Sequence, residues 1–205
     1  ALTEYCLLNG IAVSYFSRGG TYFGKLESAA HVNVPRQRLQ CSLYDTEFAL
    51  ELSRSLIMAK MHNQRVVLKR YEASKNQDCD AEKKIIAVSC EKAKDAEDGP
   101  SLLGYEGTAA RAYFQGMGKC VDEAFYFEKR SRRPPLDPFN SMLSFGYSML
   151  LREIQVSLET HGLNSYFGFF HRDAEKSPSL ACDLIEEWRA VIVDATVMSA
   201  VNKHI

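Results

Sequence analysis

The chain has 205 residues, and a hydrophobic content of 46% is enough to bury a real core, which argues against a largely disordered protein. Its 25 Lys and Arg residues against 26 Asp and Glu residues give a net charge of -1, which excludes the global basic field of many nucleic-acid binders and leaves only a local patch for such binding. No run of about 18 apolar residues and no signal-peptide pattern is present, so we expect neither a membrane span nor secretion.

The first forty residues favour strands. Residues 11–16 and 21–26 flank a four-residue link with two glycines, residues 17–20, which is a good hairpin signal. A further short strand is predicted at residues 31–34, before Pro35. Two or three short strands cannot bury themselves, so this sheet needs further N-terminal strands, a second copy of the chain or the helical part to cover it.

From about residue 45 the apolar residues follow a helical period. Phe48, Leu52, Leu56 and Ala59 recur at spacings of four and three and predict a helix to about residue 70. Proline, glycine and capping signals then divide the rest of the chain into four more predicted helices. These are residues 81–96, a helix opened by Pro100, a long helix from Asp137-Pro138 to about residue 160, and a last helix opened by Pro178.

Two glutamates fall on the apolar faces of these helices. Glu106 shares its face with Leu102, Leu103, Ala109, Ala110 and Tyr113. Glu186 is followed on its face by Ala190, Val193 and Val197, while a second stripe of Leu180, Leu184, Trp188, Val191 and Ala195 predicts that the opposite side is also buried. An ionised carboxylate without a partner costs several kcal/mol to bury, so each glutamate needs a metal cation, an Arg or Lys, or a proton.

Two further groups point to a metal site. Asp183 lies within about 60° of Glu186 around the helix, as a second carboxylate of the site or as a group that holds a ligand. His171 closes the apolar run of residues 167–170. One imidazole with two or three carboxylates suits Mg²⁺ or Mn²⁺ better than zinc. The alternatives stay open: His171 as a satisfied core residue, and the acids paired with Arg111 or Arg189.

The cysteines and the basic residues add two expectations. The six cysteines lack the spacing of a zinc site, so we expect reduced, mostly structural thiols in a cytoplasmic protein. Arginine grips phosphates in a forked geometry, so basic residues near the acids are candidates for DNA contact, although a solvated charge run is the simpler interpretation. The candidates are Lys60, Arg65, Arg111, Arg132 and Arg133.

Four segments in order resemble the signature of the CRISPR-associated integrase family, which inserts new spacers into CRISPR arrays in antiviral defence. They are residues 104–114 (GYEGTAARAYF), 132–147 (RRPPLDPFNSMLSFGY), 162–171 (GLNSYFGFFH) and 179–189 (SLACDLIEEWR). Residues 60–65 (KMHNQR) on the earlier helix are also similar to that family. The resemblance covers nearly the whole chain from the hairpin onward.

The resemblance implies an α+β fold, with a small N-terminal β domain (residues 1–42) followed by a mainly α-helical catalytic domain (residues 43–205). It implies a metal site of Glu106, His171 and Glu186, with Asp183 as a nearby catalytic carboxylate. Mg²⁺ or Mn²⁺ would serve the joining of prespacer 3′-hydroxyl ends to CRISPR repeat phosphodiesters, and the cutting of branched or single-stranded DNA. The family works as a homodimer, usually two dimers bridged by a small second CRISPR adaptation protein.

Two departures and two alternatives accompany this resemblance. Family members carry more N-terminal strands and a longer C-terminal helical tail, so we expect a fragment whose dimerisation, partner docking and full DNA binding are reduced. One alternative is a DNA-binding scaffold of the same fold without turnover, its acids neutralised by Arg111 or Arg189. The other is a metal-dependent nuclease that acts on branched DNA in repair.

Overall fold

The computed structural model describes residues 1–18, 22–28 and 32–205, and these form a mainly helical α+β protein with one small antiparallel sheet. The N-terminal elements are α1 (Leu2–Leu8), β1 (Val13–Phe16), β2 (Tyr22–Leu26) and α2 (Val34–Ser42). The helical body consists of α3 (Glu47–Lys75), α4 (Asp80–Lys94), α5 (Gly99–Cys120), α6 (Pro138–Thr160), α7 (Ser179–Trp188) and α8 (Ala195–Lys203), with a π-helical segment (Arg189–Asp194) between the last two.

The predicted hairpin is present, but strands do not dominate the N-terminal region. β1 and β2 pair antiparallel, with Val13 opposite Leu26, while Gly19, Gly20 and Thr21 of the predicted link and strand lie outside the described residues. The chain before the hairpin is helical as α1, so the expectation of strands throughout the first forty residues is wrong.

The strand predicted at residues 31–34 is also wrong, because helix α2 begins there. Its first turn contains a proline, and the side chain of Asn33 accepts a hydrogen bond from the backbone N–H of Arg36 at 3.0 Å. A capping side chain followed by proline favours a helix start, and this outweighs the weak strand signal of the preceding residues. His31 lies outside the described residues.

Helix α2 fixes the loop that leads to His171. The side-chain amide of Gln40 donates hydrogen bonds to the carbonyl oxygens of Asn164 and Phe167 at 2.8 and 2.9 Å, and its oxygen accepts one from the backbone N–H of Asn164 at 3.0 Å. Gln40 is buried, so these bonds are protected from water and the loop is held against α2.

Two capping signals of the helical body are confirmed, whereas α7 begins at Ser179 without a side-chain cap hydrogen bond. The side chain of Asp98 accepts a hydrogen bond from the N–H of Ser101 at the start of α5, and Asp137 accepts one from the N–H of Asn140 at the start of α6, both at 2.7 Å. Helices α3, α4 and α5 enclose the main core, whose largest fully buried side chains include Tyr113. No helix in the described ranges is long and apolar enough to cross a membrane.

The last helix is not continuous, and this changes which residues it buries. Trp188 and Val191 of the predicted second stripe are exposed. Val191 lies in the π-helical segment, which uses more residues per turn and rotates the residues after its start relative to a regular α-helix. Trp188 is the last residue of α7 and precedes that segment, so the prediction that it is buried is wrong for the regular part of the helix. Where α6 crosses this segment the backbones come close, since a Cβ at Gly146 would lie 2.6 Å from Cγ1 of Val193.

Candidate metal centre

Glu106 lies in the middle of α5, partly buried. Leu102 and Tyr113 of its predicted face are in the core, whereas Leu103 is exposed, so the buried stripe is narrower than the periodicity predicted. The carboxylate receives a hydrogen bond from the side-chain ammonium of Lys60 on α3. The cation that the buried position requires is therefore supplied by a lysine of the chain.

Lys60 also reaches the second glutamate. Its Nζ lies 2.5 Å from Oε2 of Glu186 on α7, and only 5% of Lys60 is exposed. Oε2 of Glu186 is buried and makes no hydrogen bond of good geometry, so its contact with Lys60 is an ion pair alone. The two predicted glutamates thus converge from two helices on one ammonium group.

Glu186 has a second cation on its other oxygen. Nη1 of Arg189 forms an ion pair with Oε1 of Glu186 at 3.0 Å, which is one of the arginine pairings that the sequence analysis left open. No such pairing by Arg111 is observed among the described residues. Burial acts to raise the pKa of Glu186, but the charges of Lys60 and Arg189 outweigh it and hold that pKa below its ordinary value. This carboxylate therefore stays ionised in the protein interior.

His171 is oriented by Asp183. The fully buried Asp183 accepts hydrogen bonds from the backbone N–H groups of Phe169, Phe170 and His171 at 2.6, 3.1 and 2.8 Å. Its Oδ1 also lies 2.8 Å from Nδ1 of His171. The other ring nitrogen, Nε2, is left facing Glu186, with Oε1 at 3.9 Å. Of the two roles predicted for Asp183, this geometry fits a group that holds a ligand.

A glycine makes this arrangement possible. A Cβ at Gly168 would lie 2.7 Å from Cβ and 2.9 Å from the backbone carbon of Ser179, and 3.1 Å from Oδ2 of Asp183. Only glycine lets the loop before His171 approach the start of α7 closely enough for its N–H groups to reach the Asp183 carboxylate.

The donor set fits a hard divalent ion. Nε2 of His171 faces Glu186, both glutamates contact the Lys60 ammonium, and a buried oxygen of Glu186 lacks a hydrogen bond. Among the residues that the structure describes, however, the group whose ligand atoms already lie within 4.8 Å of one another is a different one: Glu72, Asp78 and Asp80. Lys83 pairs with Glu72 and Asp80 there.

A third buried carboxylate lies beside the centre. Asp194, at the end of the π-helical segment, accepts hydrogen bonds from the hydroxyl groups of Tyr113 at 2.9 Å and Tyr147 at 2.5 Å. Burial raises the pKa of Asp194 to about 6, against the opposing effect of these hydrogen bonds and of the arginines nearby. Arg189 lies over the ring of Tyr147 at 5.2 Å, so this network supports the arginine that pairs with Glu186.

The basic candidates fall into two groups. Arg111 and Arg132 line one cleft of about 470 Å³ together with Lys129 and Arg130. Arg65 and Arg133 are exposed outside that lining, and Lys60 is buried between the glutamates.

The family model described as "CRISPR associated protein Cas1" matches residues 1–205. The chain belongs to the Cas1 family. The resemblance seen in the sequence is thereby confirmed.

Relatives of the Cas1 family agree with this assignment. The "CRISPR-associated endonuclease Cas1 3" of Thermus thermophilus is 36% identical over 205 residues, which is 100% of this chain and 60% of that protein. A chain in a "Cas6-RT-Cas1--Cas2 complex" is 30% identical with a TM-score of 0.83, and the match covers 98% of this chain and 22% of that one. A "Casposase bound to integration product" is 26% identical with the same TM-score, covering 98% and 56%. This chain thus spans about three fifths of the length of its curated Cas1 relative.

Lys60 is the residue of this Cas1 centre whose place the sequence did not reveal. The motif of residues 60–65 indicated that it belongs to the family pattern, and its charge suggested a DNA contact. Its partner Glu106 is 46 residues away in the chain, so no periodicity connects the two. The signal that could have identified Lys60 as a site residue is its position on the buried face of α3, because a buried lysine needs an acidic partner.

Proposed function

We propose that this chain is the catalytic part of a divalent-metal-dependent DNA integrase and endonuclease, which joins prespacer 3′-hydroxyl ends to phosphodiesters of a CRISPR repeat. The observation that carries the proposal is the orientation of His171: Asp183 holds one ring nitrogen and the other faces Glu186, in the manner of a metal-binding histidine with its supporting carboxylate. Two relatives, an endonuclease and a casposase bound to integration product, support the reaction class.

Each residue of the centre then has a distinct task. Glu106, Nε2 of His171 and Glu186 would hold Mg²⁺ or Mn²⁺, which supplies Lewis-acid stabilisation of the charge on the attacking and leaving oxygens. Asp183 holds the imidazole at Nδ1 and the loop around it through three backbone N–H groups, and Arg189 balances the charge of Glu186. Because one phosphodiester replaces another, the joining reaction needs no nucleotide as an energy source.

The DNA would follow the basic cleft beside the centre. Arg111 and Arg132 line it, while Arg65 and Arg133 are exposed and free to contact a longer strand. Phosphate contacts by such residues release counterions, so binding should weaken steeply with salt. The cleft supplies the local positive patch that the near-neutral net charge requires.

We infer that the protein acts as a homodimer, with two dimers bridged by a small second CRISPR adaptation protein. Support comes from a structural relative, which is part of a Cas6-RT-Cas1--Cas2 complex. Size-exclusion chromatography with light scattering, with and without a Cas2-type protein, tests both steps.

Strand joining tests the proposed reaction. A short duplex with free 3′-hydroxyls is offered to a plasmid-borne CRISPR repeat in Mn²⁺ and in EDTA, with the chain alone and with a Cas2-type partner. We expect joining in Mn²⁺ only, and a loss of about a hundredfold or more in Glu106→Gln and His171→Ala. Glu97→Gln, an exposed acid of the chain, is the matched control and should retain full activity.

A second candidate function is a DNA-binding scaffold without turnover, which the neutralisation of both glutamates by Lys60 and Arg189 favours. DNA binding with no joining or cleavage in any divalent ion, with the partner present, would establish it and reject the integrase proposal. Equal cleavage of random branched DNA and of repeat ends would instead indicate a repair nuclease.

A further inference from the structure

The centre of the site holds an ammonium group where the proposed metal ligands converge. Lys60 donates to Glu106, and its Nζ lies 2.5 Å from the otherwise unbonded Oε2 of Glu186. Lys60 comes from α3, whereas the two acids come from α5 and α7, so it joins three helices at one point. Lys60 is almost completely buried, which shows that it belongs to the site and not to the surface.

The formal charges of this cluster already cancel. Glu106 and Glu186 contribute two negative charges, and Lys60 and Arg189 contribute two positive charges. A divalent ion bound to the same two glutamates would bring two further positive charges next to the Lys60 ammonium in a desolvated space. The remaining buried carboxylate of the site, Asp183, is already bonded to His171 and to three backbone N–H groups. At short range such repulsion is severe, so the metal and the Lys60 ammonium cannot occupy the same oxygens together.

A cavity next to the two glutamates can accept the Lys60 side chain when its ammonium group is displaced. A small cavity of about 20 Å³ is lined by Lys60 itself and, among others, by Arg130, Arg132 and Arg189. It shares Arg130 and Arg132 with the larger basic cleft. The lining also includes the carboxyl group of Asp194, so an ammonium group moved into this cavity meets one acid and three arginines. The arginines outnumber the acid, and an anion such as a DNA phosphate in the adjoining cleft would therefore favour the displaced position.

We propose that Lys60 is a built-in competitor for the catalytic metal, which holds Glu106 and Glu186 in place until a divalent ion displaces its ammonium toward the basic cleft. This inference rests on the metal centre proposed above. It makes Lys60 a positioning residue in the metal-free protein and a phosphate contact in the metal-bound one. Metal and DNA then strengthen each other's binding, since each favours the displaced position of the same side chain.

Metal affinity without DNA is the first test. Mn²⁺ binding is measured by calorimetry for the wild-type chain, for Lys60→Met and for Lys69→Met, an exposed lysine on the same helix that serves as the matched control. We expect Lys60→Met to bind Mn²⁺ about tenfold or more tightly, because a competitor present most of the time reduces apparent affinity by the fraction of sites left free. Lys69→Met should match the wild type.

Two further readouts do not depend on catalysis. Lys60→Met should unfold at a lower temperature than the wild type in EDTA and recover in Mn²⁺, since the metal restores the missing cation. Amine acylation of the wild-type chain, followed by mass spectrometry, needs no variant to fold. Lys60 should be protected in EDTA and react faster in saturating Mn²⁺, while the reaction of Lys69 stays constant.

The outcomes separate this inference from the proposed function. Mn²⁺ bound by the wild type, lost in His171→Ala, and bound no more tightly by Lys60→Met would overturn the role of Lys60 and leave the metal centre standing. Unchanged protection of Lys60 in Mn²⁺ would overturn it in the same way. No Mn²⁺ binding by the wild type or by Lys60→Met would overturn both proposals.

Discussion

Glu186 of α7 and Asp194 of the π-helical segment are both buried carboxylates, but the free-energy cost of their burial is offset in different ways. Glu186 lies between Lys60 and Arg189, and its pKa is below the ordinary value despite its burial. Asp194 accepts hydrogen bonds from Tyr113 and Tyr147 instead, and burial raises its pKa to about 6. One group is kept charged by cations, and the other is kept in place by neutral hydroxyls.

This difference distinguishes Glu186, in the proposed reactive centre, from Asp194, which holds helices together. An ionised carboxylate beside a lysine can exchange that cation for a metal ion, whereas a carboxylate shared by two tyrosines has no cation to exchange. The hydroxyls come from α5 and α6, so Asp194 joins both helices to the π-helical segment. The proposed function therefore places catalysis at Glu186 and its neighbours, while the hydrogen bonds of Asp194 give it a structural role.

The largest expected effect comes from removing the carboxylate that holds His171. Asp183→Ala leaves three buried backbone N–H groups without acceptors, and we expect a loss of about 3–5 kcal/mol in the free energy of unfolding, measured in urea. Asp173→Ala, an exposed acid shortly after His171, is the control and should cost about 0.5 kcal/mol or less. Equal losses in the two variants would contradict the role of Asp183.

The pH dependence of stability should distinguish the two buried acids. Asp194 has a raised pKa, so the folded state binds its proton more tightly than the unfolded state, and the resulting stability is present below 3.8 and is lost as pH rises through about 6. Asp194→Asn cannot titrate, so between pH 4 and 7 it should gain about 3 kcal/mol relative to the wild type.

Glu186→Gln should show the opposite trend. The pKa of Glu186 is lowered, so its contribution is present above the ordinary value of 4.5 and is lost as pH falls below it. Guanidinium unfolding at several pH values measures both variants, and trends of the same sign would refute the contrast between the two acids.

Substitution of two glycines, one beside Asp183 and one beside Val193, is expected to have a smaller effect on stability. Gly168→Ala places a methyl group against the backbone of Ser179 and should cost about 2–3 kcal/mol, because that backbone cannot move without disturbing Asp183. Gly146→Ala meets only the side chain of Val193 and should cost about 1 kcal/mol or less. Thermal unfolding measures both, and a greater loss for Gly146→Ala would reverse the expected order.

The smallest expected effect is a gain in stability. Nothing lies within 4 Å of a Cβ added at Gly104, which is in the helical α5, so Gly104→Ala should stabilise the protein by about 0.5–1 kcal/mol. It is also the control for the other two glycines, since it adds the same methyl group without a clash. A loss in this variant would show that the backbone of α5 is strained there.

Local signals predicted the helical body well. Asp98 with Pro100, and Asp137 with Pro138, act within one turn of a helix, and the structure has both caps. The failures involve features that such signals do not carry. The π-helical segment after α7 interrupts the apolar stripe that a regular helix would continue, so Val191 is exposed, and the capped start of α2 outweighs a short apolar run.

The prediction of the site depended on the family motifs, because periodicity alone placed only two of its residues. Periodicity put Glu106 and Glu186 on buried faces, and the structure confirms that both need cations. That the two meet, and that Lys60 lies between them, depends on how α3, α5 and α7 pack, which no local pattern encodes. The arginine alternative was correct in one respect, since Arg189 does pair with Glu186.

The most direct test of the metal centre is the position of the ion. Crystals of the protein soaked in Mn²⁺ would give an anomalous difference map in which the account predicts a peak bonded to Glu106, Nε2 of His171 and Glu186, with Lys60 displaced. A peak at Glu72, Asp78 and Asp80, with none at His171, would contradict it, because the ion would then bind the group of acids that is already close together.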